Sequence, residues 1–221
     1  TDLIDAFERE IPQYTNDNFS YQINAPKQVV SHYLAKYFHK ISLTEHKTIT
    51  FEGAFQANSR QEFDIRRGDR TRIPSLNLTL FSQYYDLQYN FLPENQALLY
   101  SIGLQYKNNN NYNNPGTGIS PLIPNYLNHQ IAVYFIHKNT WFSLPVEFGL
   151  RNEIRSYHIY KATSQGGNSQ HQFYNFAANT GIKKEITKTL TTSLDISYTA
   201  RPPEINELYS NGLHQGVSGI E

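Results

Sequence analysis

Apolar and polar positions alternate along residues 48–63, TITFEGAFQANSRQEF. Ile49, Phe51, Gly53, Phe55 and Ala57 take the odd places, while Thr48, Thr50, Glu52, Gln56, Asn58, Arg60 and Glu62 take the even ones. A period of two predicts a strand with one apolar and one wet face. Residues 142–155 repeat it, with Phe142, Leu144, Val146, Phe148, Leu150 and Ile154 against Ser143, Glu147, Arg151, Glu153 and Arg155. At 190–201, Leu190, Leu194, Ile196 and Tyr198 oppose Thr191, Ser193, Asp195, Ser197 and Arg201. Weaker strands are predicted near 29–42, 75–91, 96–107, 129–138 and 171–184, which makes eight. The apolar phase of 75–91 changes near Phe81–Gln83, and a bulge or bend is expected there.

The connections alternate in length. Short turns are expected at Thr44-Glu45-His46, Pro93-Glu94-Asn95, Lys138-Asn139 and Thr187-Lys188, and long loops at 64–74, 108–128, 157–170 and beyond Arg201. Short turns at one end and long loops at the other suit an outer-membrane barrel. A soluble antiparallel sandwich also alternates. Several of these strands run 12 to 16 residues, however, beyond the ~5–6 of globular strands and enough for a tilted span of ~9–11. Rows of Glu, Arg, Asn and Gln on the wet faces suit an aqueous lumen. The expected fold is therefore all-β, an antiparallel transmembrane β-barrel.

Composition sharpens this. Lys plus Arg is 19 and Asp plus Glu is 19, so a nucleic-acid partner is not indicated. Charged residues make up 17%, against roughly 25% in soluble domains; 22 Asn supply polarity instead, and 17 Tyr, 13 Phe and 1 Trp supply aromatic surface. No apolar run approaches the ~20 residues of a membrane helix, whereas membrane strands average to hydrophilic. The absence of Cys removes disulfides, thiolate metal sites and thiol nucleophiles. No GxSxG, HExxH or P-loop pattern occurs, so no enzyme, cofactor or metal site is expected.

Three stretches resemble the TonB-dependent receptors of Gram-negative outer membranes. Phe55-Gln56-Ala57-Asn58-Ser59-Arg60-Gln61-Glu62-Phe63-Asp64 is similar to that family's Q-x-N-x-R-x-E-F-D strand end. Trp141 to Arg151, WFSLPVEFGLR, resembles a W-x-L-x-x-G-x-R barrel strand. Arg201-Pro202-Pro203-Glu204-Ile205-Asn206-Glu207-Leu208-Tyr209, continuing to His214 and Gly216, resembles the R-x-P-x-x-x-E-L-Y-x-x-G-x-H-x-G segment of iron-complex and haem receptors. The resemblance implies import of a siderophore or haem, with iron chelate, outer-membrane lipid, a plug domain and an inner-membrane TonB-type energy coupler as partners. Neither plug nor TonB box is found, and eight strands fall short of the family's roughly 22. The expectation is an internal piece of a larger barrel: residues 1–27 ending an extracellular loop, 28–201 forming eight strands, and 202–221 a loop cut short. The alternatives are a self-contained structural or adhesion barrel and a soluble carbohydrate-binding sandwich.

Candidate ligand groups fall on the predicted outer loops. Arg66, Arg67, Arg70 and Arg72 suit carboxylates or phosphates by bidentate bonding, or pair internally with Asp69. His158, His171 and His214 could together ligate haem iron or zinc, or singly be ordinary polar surface. In the tract Asn108 to Asn114, read as a loop tip, Tyr112 could stack on a catechol or sugar. Gln56, Asn58, Arg60, Glu147, Arg151, Glu153 and Asp195 are expected to face the lumen, contacting the plug or pairing with one another.

Overall fold

The structure is a computed structural model that describes residues 19, 21–65, 70–93, 99–161, 167–209, 213–214 and 219–220. Eight antiparallel strands form one sheet: β1 Lys27–Thr44, β2 Lys47–Phe63, β3 Leu76–Phe91, β4 Leu99–Asn113, β5 Asn125–Trp141, β6 Leu144–Tyr160, β7 Ser169–Thr187 and β8 Leu190–Thr199. Among the described residues each pairs only with its neighbours in sequence, so β1 and β8 are free edges there and the sheet is open. A 3-10 turn at Arg70–Arg72, a helix at Ile205–Tyr209 and a two-rung pairing of β9 Leu213–His214 with β10 Gly219–Ile220 complete the described elements.

The ladders run without interruption except at two hairpin ends, between Ser42 and Thr44 and between Glu185 and Thr187. Partners across a ladder share a face, so the register carries one parity assignment through all eight strands. Ile49, Phe51, Phe55, Leu144, Val146, Phe148, Leu194 and Ile196 fall on one face, as alternation predicts. Most of that face is exposed, with Leu87, Ile102, Val133 and Ile196 at 48%, 51%, 49% and 62%.

The β3 phase change is real, but no bulge accompanies it. Residues 62–47 of β2 pair 76–91 of β3 rung by rung. Leu76, Leu78 and Leu80 lie on the otherwise polar face, while Phe81, Tyr85, Leu87, Tyr89 and Phe91 lie on the apolar one. The polarity of the surroundings switches, and the backbone does not. At the loop end, residues 114–124 fold over the polar face, and Ile119, Leu122 and Ile123 enclose a space with Leu76 and Leu78. β6 does the same: Tyr157 and Ile159, at 0% and 1% exposure, form a small core with Ile205, while Ser156 and His158 take the opposite face. Both faces thus exchange character at the loop end of the sheet.

Several boundaries differ from the sequence expectation. β4 runs through Asn113, so Asn108 to Asn113 are strand rather than loop tip; the amides of Asn108, Asn111 and Asn113 donate to the following segment and β5, as in Asn113 Nδ2 to Ile123 O at 2.9 Å and to Asn125 Oδ1 at 2.8 Å. The long connections expected at 108–128 and 157–170 shrink to 114–124 and 161–168. Lys138 and Asn139 lie inside β5, and the turn is Phe142-Ser143. Both turn residues have positive φ, 49° and 65°, the combination a two-residue hairpin of matching twist requires. Phe142 is therefore fully exposed at a turn and not on the apolar face.

Two free edges and a bare apolar face dictate solution behaviour. Produced alone, the chain should require detergent or pair its edges or apolar faces with another copy. Light scattering showing a monomer at low concentration in detergent-free buffer would contradict that.

Candidate functional site

The polar face carries one connected set of charged and amide side chains. On β3, the Asp86 carboxylate accepts from Tyr84 Oη at 3.0 Å and from Gln105 Nε2 of β4 at 2.6 Å. Tyr134 of β5 also donates to it, Oη to Oδ1 at 3.0 Å, reaching across the intervening β4. That reach depends on Gly103, because a Cβ there would lie 2.1 Å from the Tyr134 ring. Gly149 and Gly181 make equivalent room for Asn179 and Asp195. Arg151 of β6 continues the set, donating to Gln105 Oε1 at 2.6 Å and to Glu153 Oε2 at 3.0 Å. Glu153 also accepts from Gln130 Nε2 at 2.7 Å and Arg155 Nη2 at 3.3 Å. Arg155 then leaves the sheet, donating from Nη1 to Glu204 Oε1 at 2.7 Å.

This network is sheltered as well as connected: the Glu153 and Arg155 side chains are 10% and 12% exposed. A buried carboxylate bracketed by two guanidiniums avoids the cost an unpaired charge would carry. A shallow concavity of about 440 Å³ opens beside it, lined by Gln88, Gln105, Tyr134, Arg151 and Asn179.

The segment after β8 folds back over this face. Glu204 stands just before the short helix, and the Glu207 carboxylate accepts from the Glu204 backbone N–H at 2.7 Å, half of a capping box. Arg201 holds the same carboxylate with two bonds, 2.8 and 2.7 Å. The guanidinium and the backbone donor hold the Glu207 carboxyl well below the usual range, at about 2. Tyr157 Oη donates to Pro203 O at 3.2 Å, and Ile205 is 4% exposed against Tyr157 and Ile159. Tyr209 Oη bonds Ser169 Oγ at 2.8 Å and His171 Nε2, and Lys161 Nζ stands 3.8 Å from the centre of its ring.

The sequence-predicted residues sort clearly. Gln56, Asn58, Arg60, Glu147, Arg151, Glu153 and Asp195 share the polar face. Arg60 pairs with Glu62, Glu147 with Lys138 at 2.8 Å, and Arg151 with Glu153. The outer-loop candidates fare differently. His158 and His171 lie in β6 and β7, not in loops, because the ladder continues past the apolar band on polar residues. Neighbouring rungs pair Tyr157 with His171 and His158 with Gln170, so the two histidines point to opposite faces and cannot share an iron. Tyr112 likewise lies in β4, on the side of the apolar face, 47% exposed. Arg70 and Arg72 sit in the 3-10 turn; Arg66 and Arg67 lie outside the described residues, as does the side chain of His214. Among the described residues no group of three His, Asp or Glu could hold a metal.

Alternation alone did not single out Asp86, Tyr134, Gln105 and Glu204. Their connection depends on register, which sequence does not print. The one local clue was Glu204 three residues before Glu207, the spacing of a capping interaction. No protein-family model and no curated protein matches the chain.

Two outcomes are expected. Gly103→Ala should displace Tyr134 from Asp86 and cost about 1–3 kcal/mol, the price of overpacking, readable by urea unfolding in micelles. Because Glu207 is depressed from 4.5 to about 2, its stabilising contribution is complete above 4.5 and is lost as pH falls through 2. An NMR titration of the Glu207 carboxyl should show that low midpoint, and Arg201→Ala should move it back towards 4.5.

Proposed function

We propose that this chain is a wall segment of a Gram-negative outer-membrane β-barrel of the TonB-dependent receptor kind, importing an iron complex, siderophore or haem. The observation that carries the membrane reading is the apolar band. It runs Ile49–Ala57 on β2, Phe81–Phe91 on β3, Ile131–Trp141 on β5, Leu144–Ile154 on β6 and Leu190–Tyr198 on β8, interrupted by Gln83, His137, Asn139, Asn152 and Thr192. These stretches match the ~9–11 residues of a tilted membrane strand. About eleven residues at ~3.3 Å each, tilted ~45°, give the ~25 Å height of a barrel's apolar band.

Amphipathic rings gather at both limits, as expected of residues at a lipid boundary. Towards the turns, Tyr100 stacks on His137 at 4.6 Å and near Phe91 at 6.3 Å. Towards the loops, Tyr106 Oη bonds His129 Nδ1 at 2.8 Å. Among the described residues no helix is long and apolar enough to cross a membrane, which leaves crossing by strands open. The open sheet weighs against a self-contained eight-stranded barrel, and the uncovered apolar face weighs against a soluble sandwich. On this reading the polar face lines the interior, against the receptor's plug domain, and a TonB-type inner-membrane partner supplies the energy. The protein binds and passes its ligand, with no bond made or broken. The resemblance of 201–216 to iron-complex receptors supports the choice of cargo.

Phe148→Arg should destabilise the inserted barrel by about 2–4 kcal/mol, and Ser156→Arg, beyond the band, by about 0–1. Equal costs in a folding titration into vesicles would count against the membrane reading. For the cargo, His214→Ala in the whole receptor should weaken growth on haem while growth on siderophore iron persists. Equal growth on both would remove His214 as a haem ligand.

A further inference from the structure

We propose that residues 201–209 act as a clasp that fixes where the following loop leaves the sheet, with Glu204, Ile205, Glu207 and Tyr209 as positioning residues. Two features make it a clasp. The segment has its own internal contacts: Arg201 and the Glu204 N–H both satisfy Glu207. It is then fastened at three points of different chemistry. Glu204 meets the sheltered Arg155 guanidinium on β6 at 2.7 Å. Ile205 enters the small core with Tyr157 and Ile159. Tyr209 is held through its hydroxyl by Ser169 and His171 of β7 and through its ring by Lys161.

The route of the chain gives the clasp a consequence. Ala200 N–H still follows the ladder, donating to Phe176 O at 3.3 Å. Beyond it β7 continues towards the loop end without a β8 partner. The segment crosses this unpartnered stretch of β7 to reach β6, then returns to β7 at Tyr209. The chain carrying His214 therefore starts above the polar face, inboard of the β8 edge. His171, Lys161 and Arg155, each a plausible ligand group by type, are instead engaged in holding Tyr209 and Glu204.

The value of this placement rests on the proposed reading of the loop end as the ligand-capturing side; the clasp itself does not. The chain contains no Cys, so two spin labels can be placed without background, through His214→Cys and Lys188→Cys in the β7–β8 turn. In micelles the full chain should give a narrow distance distribution between them. Ile205→Ala and Tyr209→Ala should broaden it, while Tyr209→Phe, keeping the ring under Lys161, should restore much of the narrowness. Glu207→Ala, which removes the acceptor for the Glu204 N–H, should speed hydrogen exchange at the Leu208 amide about tenfold, the scale of a lost cap, with β5–β6 amides unchanged as the control for folding. A distribution already broad in the parent, or one no variant alters, overturns the clasp. Neither readout involves uptake, so loss of the transport reading and loss of the clasp are separable.

Discussion

Everything in this molecule follows from one constraint: an antiparallel register that runs through eight strands with slips only at two turns. Because side chains alternate, a one-residue slip anywhere would send every apolar residue beyond it to the opposite face. Unbroken pairing keeps Phe51, Leu87, Leu104, Val133, Phe148 and Leu194 on one surface and Glu52, Asp86, Gln105, Tyr134, Glu147 and Asp195 on the other. The hydrogen bonds that maintain this order are nearly indifferent to side-chain type. The pattern of polarity is what makes one register cheaper than its neighbours.

Polarity inverts along the strands as well as across the sheet. Over the turn-side part, one face is apolar and exposed and the other is a hydrogen-bonded lattice centred on Asp86, Arg151 and Glu153. Towards the loops the lattice gives way to Leu76, Leu78, Tyr157 and Ile159, which residues 114–124 and 201–209 cover. The apolar face there becomes amides and hydroxyls, such as Asn77, Thr79, Asn108 and Gln172. A sheet passing from lipid into water, with its own loops folded inward, would need this double exchange.

The main architecture was legible in the sequence because its signal is a long, strict period of two; the three cleanest alternations at 48–63, 142–155 and 190–201 correspond to β2, β6 and β8 with the expected faces, apart from Phe142 and Ser143 at the turn and Arg201 beyond β8. What was not legible came from places where period and hydrophobicity separate. The Asn tract of β4 reads as a loop because it lacks an apolar face, yet beyond the apolar band a strand needs none. His158 falls in a stretch that reads as a loop for the same reason, and His171 stands at the boundary of the predicted 171–184 strand. Phe142 continues the alternation numerically, but only its φ of 49° reveals the turn. The β3 phase change was visible, and its cause lay in chain 30 or more residues away. The basis of the polar lattice was invisible for a different reason: Gly103 and Tyr134 are unremarkable until the register sets them side by side.

The central claim is that the exposed apolar face meets lipid and the lattice face meets water. Single spin labels in bilayers, read for collision with oxygen and with a water-soluble nickel chelate, address it directly. Labels at Phe148 and Leu194 should favour oxygen, whereas labels at Glu147, Asp195 and, beyond the band, Gln172 should favour the chelate. Equal chelate access at Phe148 and Glu147 would contradict the account, because two adjacent residues of one strand would then share the same solvent.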